Sequence, residues 1–404
     1  MMSQDRSAGK APLLCNPYGE VLYETFRDPG RAFVDKSAAI KALDEGPRYP
    51  ILLRPQRFGK TAFIQMLKCF YDLSYKDRYE ELFSDTDIYK ENLLSHNTFH
   101  VINFDFSMVN MQSVSAMLNS FFSAVASGID DFMVRYPDFA FSYSDLDKSD
   151  AVTLFNYFAS AYSEYAYDCF IKDRHVSARH DYGAAGRLYV MIDEYDSFAR
   201  RTLVPDLELY RTQTGGFGFI KAFYAAIKAA AADADCIAKI FITGVSSMSL
   251  DSIASGFNIA LNVTSDACFN EYAGFTEAEL AKLIPHLVDI KQLGFSTEEI
   301  IALMKTVYGG YCFSQEAERT VFNSSMCLYC LDEMRIKGRV LPPEDYLIPA
   351  LDRDGIKLKR LLETAEDGNY RCISERRQVF AEEITQGMAF KSLTYPMKEG
   401  VRPW

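Results

Sequence analysis

The residues best suited to chemistry fall in two clusters far apart in the chain. The first closes the stretch Arg54-Pro55-Gln56-Arg57-Phe58-Gly59-Lys60-Thr61, which follows the apolar run Tyr49–Leu53 directly. Glycine, lysine and a hydroxyl residue in that order end a phosphate-binding loop. Backbone N–H groups of the turn cradle the phosphates, the lysine reaches the β- and γ-phosphates, and the threonine hydroxyl ligates Mg²⁺. The residue that usually opens such a loop as glycine is here Arg54. Its role is mainly to turn the chain away from the strand, and Pro55 does this by fixing its own φ and biasing Arg54 towards an extended conformation. By itself the stretch is also compatible with a chance Gly-Lys-Thr in an unrelated turn.

The second cluster decides between these readings. Leu188-Tyr189-Val190-Met191-Ile192 runs straight into Asp193-Glu194. Two adjacent carboxylates just past a buried strand are costly unless used or paired. In a nucleotide site Asp193 would hold Mg²⁺, and Glu194 would orient and deprotonate an attacking water. A third position, Thr243 at the end of the apolar run Ile237–Ile242, fits a contact to the γ-phosphate or to the attacking water. It fits equally a threonine turning into Gly244. Tyr195 and Asp196 read as braces for the Asp-Glu turn. Arg57, Arg200 and Arg201 are candidates for an additional phosphate contact or an arginine finger, with solvated surface arginines as the alternative for the latter two. Arg57 could also cap against Asp105.

Positioning these groups needs strands alternating with helices. Arg48–Leu53, His100–Phe106, Leu188–Ile192 and Ile237–Ile242 are short apolar runs, with a weaker candidate at Asn258–Thr264. Between them, Thr61–Tyr71, Ser113–Tyr136, Val152–Ile171 and Phe217–Asp235 carry helix-compatible apolar spacing. This alternation predicts an α/β fold of the P-loop NTPase type: a parallel sheet of about five strands covered by helices. Strand four is expected between strands one and three. After Gly274 helical stretches run on without strands, at Thr276–Leu287, Ser296–Tyr308, Asn323–Met334 and Ile356–Ala365. The expected organisation is a loose polar arm over 1–20, a P-loop domain over 21–270, a helical, lid-like domain over 271–370, and a short tail over 371–404.

Composition narrows the class. The 404 residues carry a net charge of −12, so no global basic field for nucleic acid exists. No segment reaches about 18 apolar residues, which predicts no membrane span, and the N-terminus lacks an apolar stretch long enough for a signal peptide. The nine cysteines are scattered, favouring reduced thiols in a cytoplasmic setting. Cys327 and Cys330 form a C-x-x-C without a second pair or a nearby histidine, and are expected as core thiols.

The set Phe33–Ser37 (FVDKS), 54–61 (RPQRFGKT), 102–107 (INFDFS), 190–199 (VMIDEYDSFA), 241–258 (FITGVSSMSLDSIASGFN) and 274–280 (GFTEAEL) resembles the AAA-ATPase-like family. The runs GGYCFS (309–314) and Val321-Phe322-Asn323 are similar too. In that family an arginine-proline opening of the loop is usual. The resemblance implies an ATP-binding core of the additional-strand, catalytic-glutamate type, with Lys60, Thr61, Asp193 and Glu194 as nucleotide, Mg²⁺ and catalytic residues. Many members continue into a nuclease-like domain of the PD-(D/E)xK type. Residues 371–404 offer no Asp and Glu-x-Lys at nuclease spacing, and read as a natural short form or a truncation. Two functions stay open: a Mg²⁺-dependent ATPase that switches the helical domain, or a nucleotide-sensing regulatory module without turnover, linked to a nuclease or mobile-element system. Self-association or a protein partner is left open. Adenine contacts are expected from the segment before the loop, including Phe33–Lys36.

Overall fold

A computed structural model describes residues 12–110, 112–168, 187–197, 218–232, 236–245 and 257–340. The expected helix Ile356–Ala365, the tail 371–404, and Arg200 and Arg201 lie outside the described residues.

Five strands form one sheet: β1 (Pro50–Leu53), β2 (His100–Asp105), β3 (Leu188–Asp193), β4 (Ile237–Gly244) and β5 (Leu261–Asn262), in the order β2-β3-β4-β1-β5. Every pairing is parallel. β4 therefore lies between β1 and β3, as the sequence predicts. Side chains alternate between two cores, as the strand period of two requires. Leu53, Phe104, Val190, Ile192 and Ile240 face one apolar cluster, whereas Leu52, Val101, Met191 and Phe241 face the other. Both faces are covered, which is why the strands read as continuous apolar runs.

Helices α1 (Ala38–Glu45) and α2 (Lys60–Tyr71) contribute to the second cluster. On the first face pack α3 (Val114–Arg135), α4 (Ala151–Ala166) and α5 (Gly218–Ala232). Aromatic rings pack on both faces; on this one Phe132 makes ring contacts with Phe139, Phe158 and Tyr162. Where α3 crosses β2 the approach is close. A Cβ on Gly128 would sit 2.5 Å from the Asn103 carbonyl oxygen and 2.7 Å from the Phe104 ring.

Beyond the sheet, α6 (Glu277–Leu287), α7 (Thr297–Tyr308) and α8 (Ser324–Lys337) surround a third core. α6 and α7 each start in a full capping box, Thr276 with Glu279 and Ser296 with Glu299. Cys327 and Cys330 are buried in this core, and burial raises both thiols. They are core thiols, as expected.

Two expectations need correction. The region after Gly274 is not strand-free: β6 (Phe275–Thr276) pairs antiparallel with β7 (Val321–Phe322). Two-residue strands are too short to leave an alternation in the sequence. Nor is 12–20 a loose arm. Leu14 N–H donates to the His286 carbonyl at 2.8 Å, and the Asn16 amide donates to the Leu328 carbonyl at 2.8 Å. The Leu14 backbone and the Asn16 side chain dock it on the helical region. Among the described residues no helix is long and apolar enough to cross a membrane.

Gly128 gives a test of the α3–β2 packing. Alanine gains up to about 1 kcal/mol over glycine in helix propensity. A Cβ pressed on a backbone oxygen costs more, since overpacking costs about 1–3 kcal/mol and backbone cannot swing aside. Gly128→Ala should lower the urea midpoint; an unchanged or higher midpoint would refute this packing.

Candidate nucleotide-binding site

β1 leaves the sheet at Arg54, whose N–H still pairs with the Gly244 carbonyl at 3.1 Å. The chain then turns through two left-handed residues, Arg57 (φ 66°) and Gly59 (φ 93°), before α2 begins at Lys60. Such turns at a helix N-terminus build anion-binding concavities from backbone N–H groups. For glycine this backbone is free of penalty; for Arg57 it costs about 1–2 kcal/mol.

Lys60 is 4% exposed, and its Nζ lies 3.2 Å from Glu194 Oε1 while donating to the Pro55 carbonyl at 3.4 Å. Thr61 Oγ1 donates to Asp193 Oδ2 at 2.7 Å. The Asp193 Oδ1 accepts the N–H of Glu194 at 2.9 Å. The structure thus brings Lys60, Thr61, Asp193 and Glu194 together at one end of the sheet. Glu194 itself is left-handed (φ 53°), another strained non-glycine position at the same place. Tyr195 and Asp196 brace this turn: Tyr195 N–H donates to the Thr243 carbonyl, and Asp196 Oδ1 accepts from Val245 N–H, both at 3.1 Å.

Other sequence candidates are placed differently. Arg54, expected among the cofactor-binding residues, is fully buried and turned from the loop. Its guanidinium donates to the carbonyls of Leu53 (2.6 Å), Thr264 (3.1 Å) and Phe269, and lies over the rings of Phe313 and Tyr272. A planar multiple donor suits a ring of carbonyls, so it fixes the far side of the loop. Phe58 is 1% exposed and packs edge-on against Tyr311 and Phe313. Thr243 is buried, with its hydroxyl donating to the Leu52 carbonyl at 2.6 Å. That commits its proton and leaves only lone pairs to accept from a neighbour. Asp105 accepts from Ser107 N–H at 2.8 Å, and no ion pair joins it to Arg57 among the described residues.

A cavity of about 460 Å³ opens over this cluster. Gln56 through Thr61 and Glu194 form its polar floor, and Phe33, Val34, Phe275, Leu283 and Leu328 its apolar side. Phe33, Val34 and Lys36 do line it, where the segment before the loop was expected. Sequence reading missed the wall from Ser324, Ser325 and Leu328. The only signal was the family-like run ending in Asn323.

The family model described as "Predicted AAA-ATPase" matches residues 17–254, more than half of the chain. The chain belongs to this AAA-ATPase-like family. It is accordingly a P-loop protein of the ATP-binding kind. Among solved structures, a Walker-type ATPase of Pyrococcus abyssi is similar at 11% identity and a TM-score of 0.42, covering 84% of this chain and 75% of that one. No curated protein matches.

The electrostatics of the AAA-ATPase-like site give a pH prediction. Burial and the adjacent Glu194 carboxylate raise Asp193 to about 6 from its ordinary 3.8, with Asp105 adding to the rise; Thr61 and Lys60 oppose it. The folded carboxyl holds its proton more tightly than the unfolded one. Its contribution to stability is therefore fully present below 3.8 and is lost as pH rises through about 6. Urea unfolding of the nucleotide-free chain at stepped pH should show this loss, and Asp193→Asn should remove it. The same pH slope in both proteins would overturn the assignment.

Proposed function

We propose that the chain binds Mg·ATP at this site and hydrolyses it to ADP and phosphate, with the helical region responding to the γ-phosphate. The observation that carries this reading is the convergence of Thr61 on Asp193 at 2.7 Å and of Lys60 on Glu194 at 3.2 Å, with Lys60, Thr61 and Glu194 on the floor of one cavity. A hydroxyl and a carboxylate side by side are a hard-oxygen donor set that fits Mg²⁺, which keeps several waters and takes few protein ligands. When bound, Mg²⁺ would offset phosphate charge. Asp193 must be deprotonated to serve it, which its raised pKa opposes at acid pH.

The chain's own groups then have distinct tasks. N–H groups from Gln56 to Thr61 receive phosphate oxygens, and Lys60 neutralises their charge. Glu194 orients water and takes its proton, while Thr243, buried behind the cavity and bonded to the Leu52 carbonyl, holds the end of β4 in place. The apolar side of the cavity, at Phe33, Val34 and Leu283, takes the base.

A second reading, a nucleotide sensor without turnover, is favoured by one observation. Glu194 is engaged with Lys60, so the base is tied up until phosphate displaces it.

Lys60→Ala removes the charge and the donor that face the phosphates. Calorimetry with Mg·ATP should register no binding, and parental affinity in this variant would end the nucleotide reading. Glu194→Gln separates the two functions. It keeps size and hydrogen bonding but cannot act as base, so affinity should stay within a few-fold while turnover falls at least about 10²-fold. Equal turnover in parent and variant, above background, would show that Glu194 is not the base. Nucleotide bound by both with no turnover in either would favour the sensor.

A further inference from the structure

Three consecutive carbonyls of the phosphate loop are held by donors from outside the P-loop and its helix. The Gln56 carbonyl accepts from the Asn323 side-chain amide at 3.2 Å. The Arg57 carbonyl accepts from Ser325 N–H at 3.2 Å and from Ser324 Oγ at 3.4 Å. The Phe58 carbonyl accepts from Gly274 N–H at 2.9 Å. Each peptide bond points its C=O and N–H in opposite directions. Donors that fix the direction of these carbonyls therefore fix the direction of the following N–H groups as well. The left-handed backbone of Arg57, costly by itself, is kept by the same bonds.

Asn323 is the side chain on which this arrangement turns. It is 6% exposed and bonds in three directions. Its N–H donates to the Tyr308 carbonyl at 2.9 Å, at the end of α7. Its Oδ1 accepts Met326 N–H at 3.2 Å as the cap of α8, and its Nδ2 grips Gln56. From these contacts we infer that Asn323 is a positioning residue for nucleotide: it pre-forms the phosphate cradle, and it ties the affinity of that cradle to the placement of α7 and α8. Coupling of this kind is reciprocal. Nucleotide that holds the loop's N–H groups in place also holds the carbonyls bonded to Asn323 and Ser325, and so steadies the helical region. This inference rests on the nucleotide reading above.

The cap and the grip use different atoms, so they can be separated. Asn323→Asp and Asn323→Ser keep a side-chain oxygen that caps α8, but neither reaches Gln56 with an amide donor, and aspartate sets a charge against the carbonyl. The measurement is calorimetry with Mg²⁺ and a non-hydrolysable ATP analogue, alongside thermal unfolding of each nucleotide-free protein. Both variants should unfold close to the parent temperature and bind about five- to tenfold more weakly, the loss expected for one hydrogen bond, with aspartate the weaker binder. Parental affinity in both would overturn the inference and leave Asn323 a helix cap. Should both variants fail to fold, hydrogen exchange of the parent decides. The analogue must slow exchange at the first amides of α8, and unchanged exchange there would overturn the inference. No binding of the analogue by the parent would sink the nucleotide reading itself, and this inference with it.

Discussion

The hydrogen bond between Thr61 and Asp193 joins residues 132 positions apart, one on the helix that follows β1 and the other at the end of β3, two strands that do not touch. β4 separates them, pairing Leu53 with Gly244 on one side and Ile192 with Ile242 on the other. The two chemical clusters meet only because this register ends β1 and β3 at the same level. Gly244 shows how little room is left. A Cβ there would come within 2.4 Å of the Tyr195 ring and 2.5 Å of the Asp196 carboxylate. The third strand's turn therefore folds directly over the end of β4, and only glycine lets it do so.

Placing charge at that end of an apolar sheet is unfavourable for folding. Lys60, Asp193 and Arg54 are each 4% exposed or less, and buried ions rarely repay their desolvation against a hydrophobic alternative. The three are accommodated differently. Arg54 is spread over carbonyls and aromatic faces, which serves structure. Asp193 moves towards its neutral form, and Lys60 leans on Glu194 and a carbonyl. The last two are held by weaker compromises, with strained backbone at Arg57 and Glu194 around them. Strain and displaced pKa gathered in one cleft are the physical marks of a site kept for a ligand.

Much of this was legible in the sequence because it is local. Four apolar runs gave the strands, and the helical stretches expected at Thr276–Leu287 and Ser296–Tyr308 begin within a residue of α6 and α7. Leu188–Ile192 followed by Asp193-Glu194 gave the acidic half of the site. What stayed hidden depends on contacts made across the chain. Nothing in RPQRFGKT says that its first arginine turns inward, since that needs carbonyls from Thr264 and Phe269. The polar stretch before Tyr23 looks solvated until the helical region supplies partners for its backbone. Asn323 reads only as the start of a helical stretch, and its grip on Gln56 spans 267 positions.

The same long-range contacts decide how the cavity can change. The segment from Leu14 to Lys36 starts on the helical region, through His286 and Leu328. It reaches the sheet domain where Tyr23 donates to the Leu82 carbonyl at 3.1 Å. It then returns to the first helical turn of α6, where Lys36 Nζ meets both oxygens of Glu279 at 2.7 Å. Glu279 is also the reciprocal partner in the cap of α6. The walls of the cavity are therefore three pieces of chain bonded to one another, with the loop bonded to the third at Asn323. None can shift without loading the others, and packed, hydrogen-bonded assemblies of this kind change between discrete arrangements more readily than they deform. A ligand with unequal affinity for two such arrangements must shift their balance by that inequality. On the proposed reading, the energy available to move the helical region would be set by how differently the loop and its three walls hold nucleotide in each.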